Sequence, residues 1–584
     1  MNKNIKPESS IHLMDKLIGL IEAIPHSDRL LVRIAFFLFI GTTVWLILSI
    51  NQNHSEITPT SGGSFIEGVV GTPRFVNPAL AFTRADQDIT ALIYSGLLKI
   101  GEDGVLKNDL AENISISEDG RTYIVTLRKD VTFHDGTPLT ARDVAFTIHL
   151  IQDPDLKSPL RGNWSDVTVE EVSEYELHIK LEEVYTPFIE NFTLGIMPAH
   201  AWSNLPIEQL PFSQLNTEPI GSGPFSVTAA RRSTSGVIEH YTLTAFHDNG
   251  TTPKIDTVGL AFYQNEEQLL TALGEHKIDA TAYVSSEHIS QVAALGYQTV
   301  EQSLPRVFAI FFNQNRSAAL RDTAVRNALT AAINRDVLIE NALQGHGVPI
   351  STPTILGSST LESTGSIANE ATSSESERAV AILKAGNWTK NDLGLWEKKI
   401  DKELVALTVT LKTSNSPFFA NLVDSITKQW EAIGVQVTVE QFEQTGLVQS
   451  VIRPRDFEAL LFGLDMSRSH DLYPFWHSSQ QDDPGLNIAQ YANVEVDKLL
   501  EKARTEPYGV GRIELLHSAS DIIVKEQPAI FLFQPTFTYV IAEDMFIAEM
   551  KELGRPTDRF SNIALWYTEN DSLWTIFRKN NSEE

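Results

Sequence analysis

The stretch Thr132–Leu150, TFHDGTPLTARDVAFTIHL, decides how the rest of the chain is read. A strand ends near Phe133. Asp135-Gly136 is a turn pair, with glycine free to take positive φ, and Pro138 keeps Thr137 extended. Thr140 and Asp143 stand at capping-box spacing, the hydroxyl able to accept from the Asp143 N–H and the carboxylate able to reach back. Val144, Ile148 and Ile151 then follow at i, i+4 and i+7, the buried stripe of an amphipathic helix. His134 is the one polar residue left without a local structural task. A His-Asp pair can bind metal or move protons, but no second ligand stands at helical spacing here, and the chain contains no H-E-x-x-H. The stretch is a strand–turn–helix corner, and His134 is assigned no function.

This corner resembles the signature of the family 5 extracellular solute-binding proteins, the peptide-, oligopeptide- and nickel-binding subunits of ABC importers. The resemblance is carried by Phe133, Asp135, Gly136, Pro138, Thr140, Ala141, Asp143 and Val144 in order. Further segments resemble the family in sequence order. They are LIYSGLLKI at Leu92–Ile100, PIGSGPF at Pro219–Phe225, the block from Phe311 to Pro349, the helix at Ala379–Trp388, Ser416–Glu440, and YPFWHSSQ with NIAQYANVEVDKLLEKA near the C-terminus. Together they cover about residues 65–570. The chain departs from many relatives in lacking a lipid-modified N-terminal cysteine.

The chain of 584 residues is too long for one compact core and implies several domains. Its net charge of −29 argues against nucleic-acid partners. The absence of cysteine excludes disulfides, thiolate metal sites and a cysteine nucleophile. Ile34–Ile50 is free of charge and, with Leu30–Val32, reaches the roughly 20 residues that span a bilayer. Lys3, Lys6, Lys16, Arg29 and Arg33 precede it, and the next basic residue is Arg74, which places the N-terminus in the cytoplasm and the remainder outside. A cleaved signal peptide is the rival reading, but NQNHSEITPT offers no small-residue cleavage site. The expectation is a single-pass plasma-membrane protein with residues 1–29 cytoplasmic, 30–50 as anchor and 51–64 as a flexible tether. Ile11–Ile24 carries a short amphipathic pattern.

Strands are expected at Tyr123–Leu127, Glu176–Leu181, Ala406–Lys412 and Val435–Glu440. Helices are expected around Val325–Ile333, from an Asp336 N-cap to Gly345, up to Gly386, and up to Gly434. Arg306–Phe312 alternates with apolar residues on both faces, the mark of a buried strand. A Ser/Thr-rich loop fills Gly357–Ser376.

The resemblance implies an α/β, bilobal periplasmic-binding-protein-like fold, class II and cluster C in type, with an additional inserted domain. Lobe I would comprise 65–105, 218–305 and 545–584, the inserted domain 106–217, and lobe II 306–544. The fingerprint corner would lie in the inserted domain, away from the cleft. Relatives take the ligand as an added strand between the lobes, and an aspartate after a strand glycine typically receives the ligand α-amine. The matching segment here is LLFGLDMSRSHDLYPFW. Gly463 fits the glycine, and Asp465 or Asp471 the acid. Arg468 would pair with an acid or face a ligand carboxylate. Trp476 would line the pocket or belong to the core, and Asn313 would approach the cleft or cap its strand. His477 has little claim as a metal ligand.

The implied function is capture of short peptides for an ABC permease, by a monomer with no cofactor, no metal and no chemistry of its own. The alternatives are a receptor- or chaperone-like peptide binder not coupled to transport, and a metal-dependent surface hydrolase. The fifteen histidines permit the last without forming a ligand motif.

Overall fold

The computed structural model describes residues 25–247, 249–250, 252–354 and 374–574. The amphipathic pattern at Ile11–Ile24 and most of the Ser/Thr-rich loop lie outside them. The described chain forms two compact units, one of the two terminal segments up to Thr60 and from Glu569, and one of residues 61–568.

In the terminal unit, His26–His54 is a 29-residue helix. Leu30, Phe36, Phe37, Leu38, Phe39, Trp45 and Leu46 are all exposed on it, so it has no polar face. Among the described residues no helix is long and apolar enough to cross a membrane. The side chains of Ile47, Leu48 and Ile50, which complete the apolar run, are outside that set. The segment expected as a tether is structured. The helix runs on to His54, and Ser55–Pro59 pairs antiparallel with Asn570–Trp574.

The large unit is built on a mixed sheet. Across it run Gln436–Phe442, Thr408–Ser414, Ala459–Asp465, Arg306–Phe312, Ala529–Ile541, Ala280–Thr281, Ser64–Val70, Thr257–Tyr263, Ile238–Ala245 and Phe225–Arg232. Ala529–Ile541 is common to both halves. Its first part pairs with Arg306–Phe312 and its last part with Gln298–Ser303. The crossover falls at Leu304-Pro305 and Gln534-Pro535, where the Gln534 side chain donates to the Leu304 carbonyl at 2.6 Å. Proline has no N–H for a ladder, so the pairing breaks register there.

The apolar cores divide at the same place. One gathers residues between Phe65 and Leu304 with Phe537–Trp566. Two others, from Val307 to Phe533, lie on opposite faces of the sheet. Phe308, Ile310 and Phe312 belong to one and Val307, Ala309 and Phe311 to the other, as expected of a strand apolar on both sides.

The inserted sheet is antiparallel, in the order Ala111–Ile116, Thr122–Leu127, Glu176–Leu181, Val167–Ser173. Helix Ala141–Gln152 buries Val144, Ile148 and Ile151. Gly136 takes φ of 84° in the turn. The Thr140 N–H donates to the Asp143 carboxylate at 2.9 Å, which also receives the Ala199 N–H at 2.8 Å. One helix begins earlier than expected, at Arg335, because Asn334 rather than Asp336 caps it by accepting from the Val337 N–H.

Candidate functional site

Four segments form much of the wall of a cavity of about 300 Å³ in the large unit. Helix Arg84–Ile93 buries Ile89, Leu92 and Ile93 and turns Gln87, Thr90 and Ala91 toward the cavity. The short 3-10 helix Thr186–Thr193 is seated by Phe188 and Phe192, whose rings pack on Trp164 at 5.2 Å and Tyr123 at 5.1 Å. With those two side chains inward, Glu190 and Asn191 line the cavity. The segment Pro556–Leu565 is pinned from behind by Arg559. Its guanidinium donates twice to Asp88, at 2.8 Å each, and once to Glu67 at 2.9 Å. The fourth wall is Ser222–Pro224. Here Gly221 and Gly223 pass so close to the Ile93 backbone that a Cβ on either would collide with it.

His134 now has its task. Its Nδ1 accepts from the Gly221 N–H at 3.3 Å, which leaves Nε2 protonated to donate to the Gly223 carbonyl at 3.1 Å. Phe246 packs on the ring at 4.8 Å, and burial pushes the imidazole pKa below its ordinary value. The histidine holds the glycine turn from behind the cavity wall. Its neighbour Asp135 pairs instead with His200, at 2.7 Å.

The cavity's charges are mostly matched. Asp109 pairs with Lys99 at 3.3 Å, and Asp558 with Arg468 at 2.8 Å. Glu190 differs. Its partner is the Tyr508 hydroxyl, which donates at 3.0 Å, and burial pushes the carboxyl up to about 7.

Residues of the 306–544 half reach across to this edge. Arg468 donates to the Gly104 and Glu552 carbonyls as well as to Asp558. Asp471 takes Arg504 at 2.8 Å and the Tyr185 hydroxyl at 3.3 Å. The Arg504 guanidinium lies 4.9 Å from the Tyr185 ring centre and 3.8 Å from that of Tyr473, and Tyr473 stacks on His477 at 4.0 Å. A ladder of ring, cation, ring and ring thus bridges the segment entering Thr186–Thr193 to the 306–544 half.

Residues 105–484 match the pattern of the bacterial extracellular solute-binding proteins, family 5. The chain belongs to that family. This solute-binding protein is 28% identical over 506 residues to the oligopeptide-binding protein AppA of Bacillus subtilis, covering 83% of this chain and 89% of that one. The structure of AppA in complex with a nonapeptide superposes with a TM-score of 0.64 at 26% identity, over 87% of this chain and 99% of that one. The substrate-binding protein CtaP of Listeria monocytogenes shares the fold with a TM-score of 0.70 at 24% identity, over 87% and 100% of the two chains. The fold is therefore the bilobal α/β periplasmic-binding-protein type, and the two halves of the sheet are its lobes.

None of the six residues singled out from the sequence lines the solute-binding protein's cavity. Trp476 is core: it is buried between Phe311, Tyr491 and Phe531. Asn313 caps its strand, donating to the Arg455 carbonyl at 2.9 Å and accepting from the Asn315 N–H. Gly463 makes room for the Phe308 ring. Asp465 ends its strand half-exposed, paired with Arg306 at 3.0 Å. Asp471 is buried against Arg504, and Arg468 takes the ion-pair role. His477 is buried with its Nδ1 on Ser479, and among the described residues no cluster of three metal-ligating side chains forms. No residue of Thr132–Leu150 lines the cavity, whereas other residues of the 106–217 span, among them Leu160, Trp164, Glu190 and Asn191, do. Glu190, Tyr508 and Arg504 carried no sequence signal, since each owes its position to segments remote in the chain.

Proposed function

We propose that this protein is a membrane-anchored, extracytoplasmic binder of short peptides that closes its lobes on the ligand and hands it to the permease of an ABC importer. The observation that carries the reading is the cavity at the edge of the lobe contact. Its walls come from lobe I and the inserted domain, and side chains of the other lobe stand at its rim. A volume of about 300 Å³ lies at the lower end of small-ligand pockets, which suits a peptide of few residues. The relatives named for oligopeptide binding support the ligand class. Asp465 with its Arg306 partner supplies the facing lobe's exposed polar pair.

The domain limits expected from the sequence are kept in this reading: 65–105, 218–305 and 545–584 for lobe I, 106–217 for the insertion and 306–544 for lobe II. The helix His26–His54 is its anchor, since large apolar side chains exposed on every side of a helix are stable only in lipid or against another apolar surface. The protein acts as a monomer and carries out no reaction. Full-length protein in detergent, titrated with mixed tripeptides and followed by thermal shift and calorimetry, tests the binding. A chain that is stabilised by no peptide would refute it.

A further inference from the structure

We infer that Glu190 is the cation-recognising group of the cavity, receiving an ammonium or guanidinium group of the bound solute. The inference rests on the peptide-binding reading and names the chemistry of one end of the ligand. Two observations carry it: position and pairing. Glu190 lines the cavity on a segment fixed by the buried Phe188 and Phe192. The other lining carboxylates already have cations, Asp109 in Lys99 and Asp558 in both Arg468 and Arg555. Among the described residues no Lys, Arg or His forms an ion pair with Glu190.

The groups that face it are otherwise engaged. Tyr508 offers its hydroxyl and Ser469 its backbone, neither of them a cation. Arg468 is anchored on Gly104, Glu552 and Asp558. Arg512 donates to the Ala503 carbonyl at 3.2 Å and lies over the Tyr508 ring. Tyr185 also lies nearby and is bonded to Asp471, while His470, beside Arg512 and Arg468, is held neutral by burial, its pKa near 4. Glu190 is partly buried, and its desolvation outweighs the more distant fields of Arg468 and Arg512, so the carboxyl stays partly protonated until a closer cation arrives. That matches the elevated carboxyl of Glu190. A ligand cation would repair the mismatch, drive off the proton and leave the Tyr508 bond in place across the rim.

The consequence is measurable. At pH 7, binding of a cationic peptide should release a fraction of a proton, seen by calorimetry in buffers of different ionisation enthalpy. Affinity should fall as pH is lowered through about 7, because protonated Glu190 is neutral and no longer attracts the ligand cation. Three tripeptide pools separate the sources of the cation: free N-termini, N-acetylated, and free N-termini without Lys, Arg or His. Loss on acetylation assigns the α-amine, and loss in the third pool assigns a side chain. Glu190→Gln should weaken the preferred pool about tenfold or more and flatten the pH dependence. Binding without proton release in the wild type, or a Glu190→Gln variant with unchanged affinity and pH profile, would overturn the assignment while leaving peptide binding intact. If no pool binds the wild type at all, the peptide-binding reading itself fails. Proton release needs no variant, so the test survives a substitution that misfolds.

Discussion

Arginine meets aspartate in two quite different settings in this molecule. In the lobe I core, Arg559, Asp88 and Glu67 are all within 2% of complete burial, with Tyr539 and Tyr283 donating to the two acids at 2.6 and 2.9 Å. At the rim, Arg504 and Arg468 bind Asp471 and Asp558 with their side chains 29% and 15% exposed. The interior cluster cannot open without stranding charge in a low-dielectric core. The rim arginines already stand partly in water, so parting these pairs costs less than opening the core cluster, although Asp471 and Asp558 are themselves 7% and 8% exposed. One set fixes the cavity wall permanently, and the other can let the lobes part.

The comparison can be broken or sharpened by four changes. The largest effect belongs to Arg559→Met, which leaves Glu67 and Asp88 buried and unpaired. Loss of about 3–5 kcal/mol is expected, read from denaturant or thermal unfolding; a near-wild-type melting point would place the cluster with the rim. Next is His134→Ala, which strips both hydrogen bonds from the Gly221–Gly223 turn, for about 2 kcal/mol. The pH dependence of the wild type supplies an independent check. Because burial lowers the folded-state pKa of His134, its contribution is present above the unfolded value of about 6.5 and is lost as pH falls below it. The wild type should therefore lose more stability than the variant between about pH 6.5 and pH 5. Third is Thr140→Ala, which removes a helix cap worth about 1 kcal/mol and should leave ligand affinity unaltered. The smallest effect on stability is expected for Tyr185→Phe, below about 1 kcal/mol. It removes the hydroxyl from Asp471 while keeping the ring over Arg504. Its signature should be a larger separation between probes on cysteines introduced one per lobe, unique labels in a chain that has none. An unchanged distance distribution would show that the ladder does not help hold the rim.

Local periodicity made much of the fold legible. The corner at Thr132–Leu150, the two-faced strand Arg306–Phe312 and the helix ends at Gly386 and Gly434 all depend on residues a few positions apart. The cap at Asn334 was misplaced by two residues because either Asn334 or Asp336 could serve, and only the chain's entry angle decides. The site was far less legible. Arg468 could be read as an ion-pair partner, but nothing local indicates Asp558, ninety residues on. Trp476 suited the core better than the pocket, and three aromatic neighbours from other segments place it there. Glu190 is one acid in a very acidic chain. What distinguishes it is that Phe188 and Phe192 turn inward and that every nearby cation is bound elsewhere, both of which are tertiary facts.

The shared strand Ala529–Ile541 has a mechanical consequence. Both lobes hydrogen-bond to one uninterrupted length of backbone, so neither can slide past the other without tearing a ladder. At the Leu304-Pro305 step the strand changes partner from Gln298–Ser303 to Arg306–Phe312, with Gly347–Pro349 paired to Phe533–Pro535 beside it. The molecule is jointed like a box moulded in one piece with its lid, creased where the shared strand changes partners. Any opening must be a fold about that crease, and the rim farthest from it travels the greatest distance.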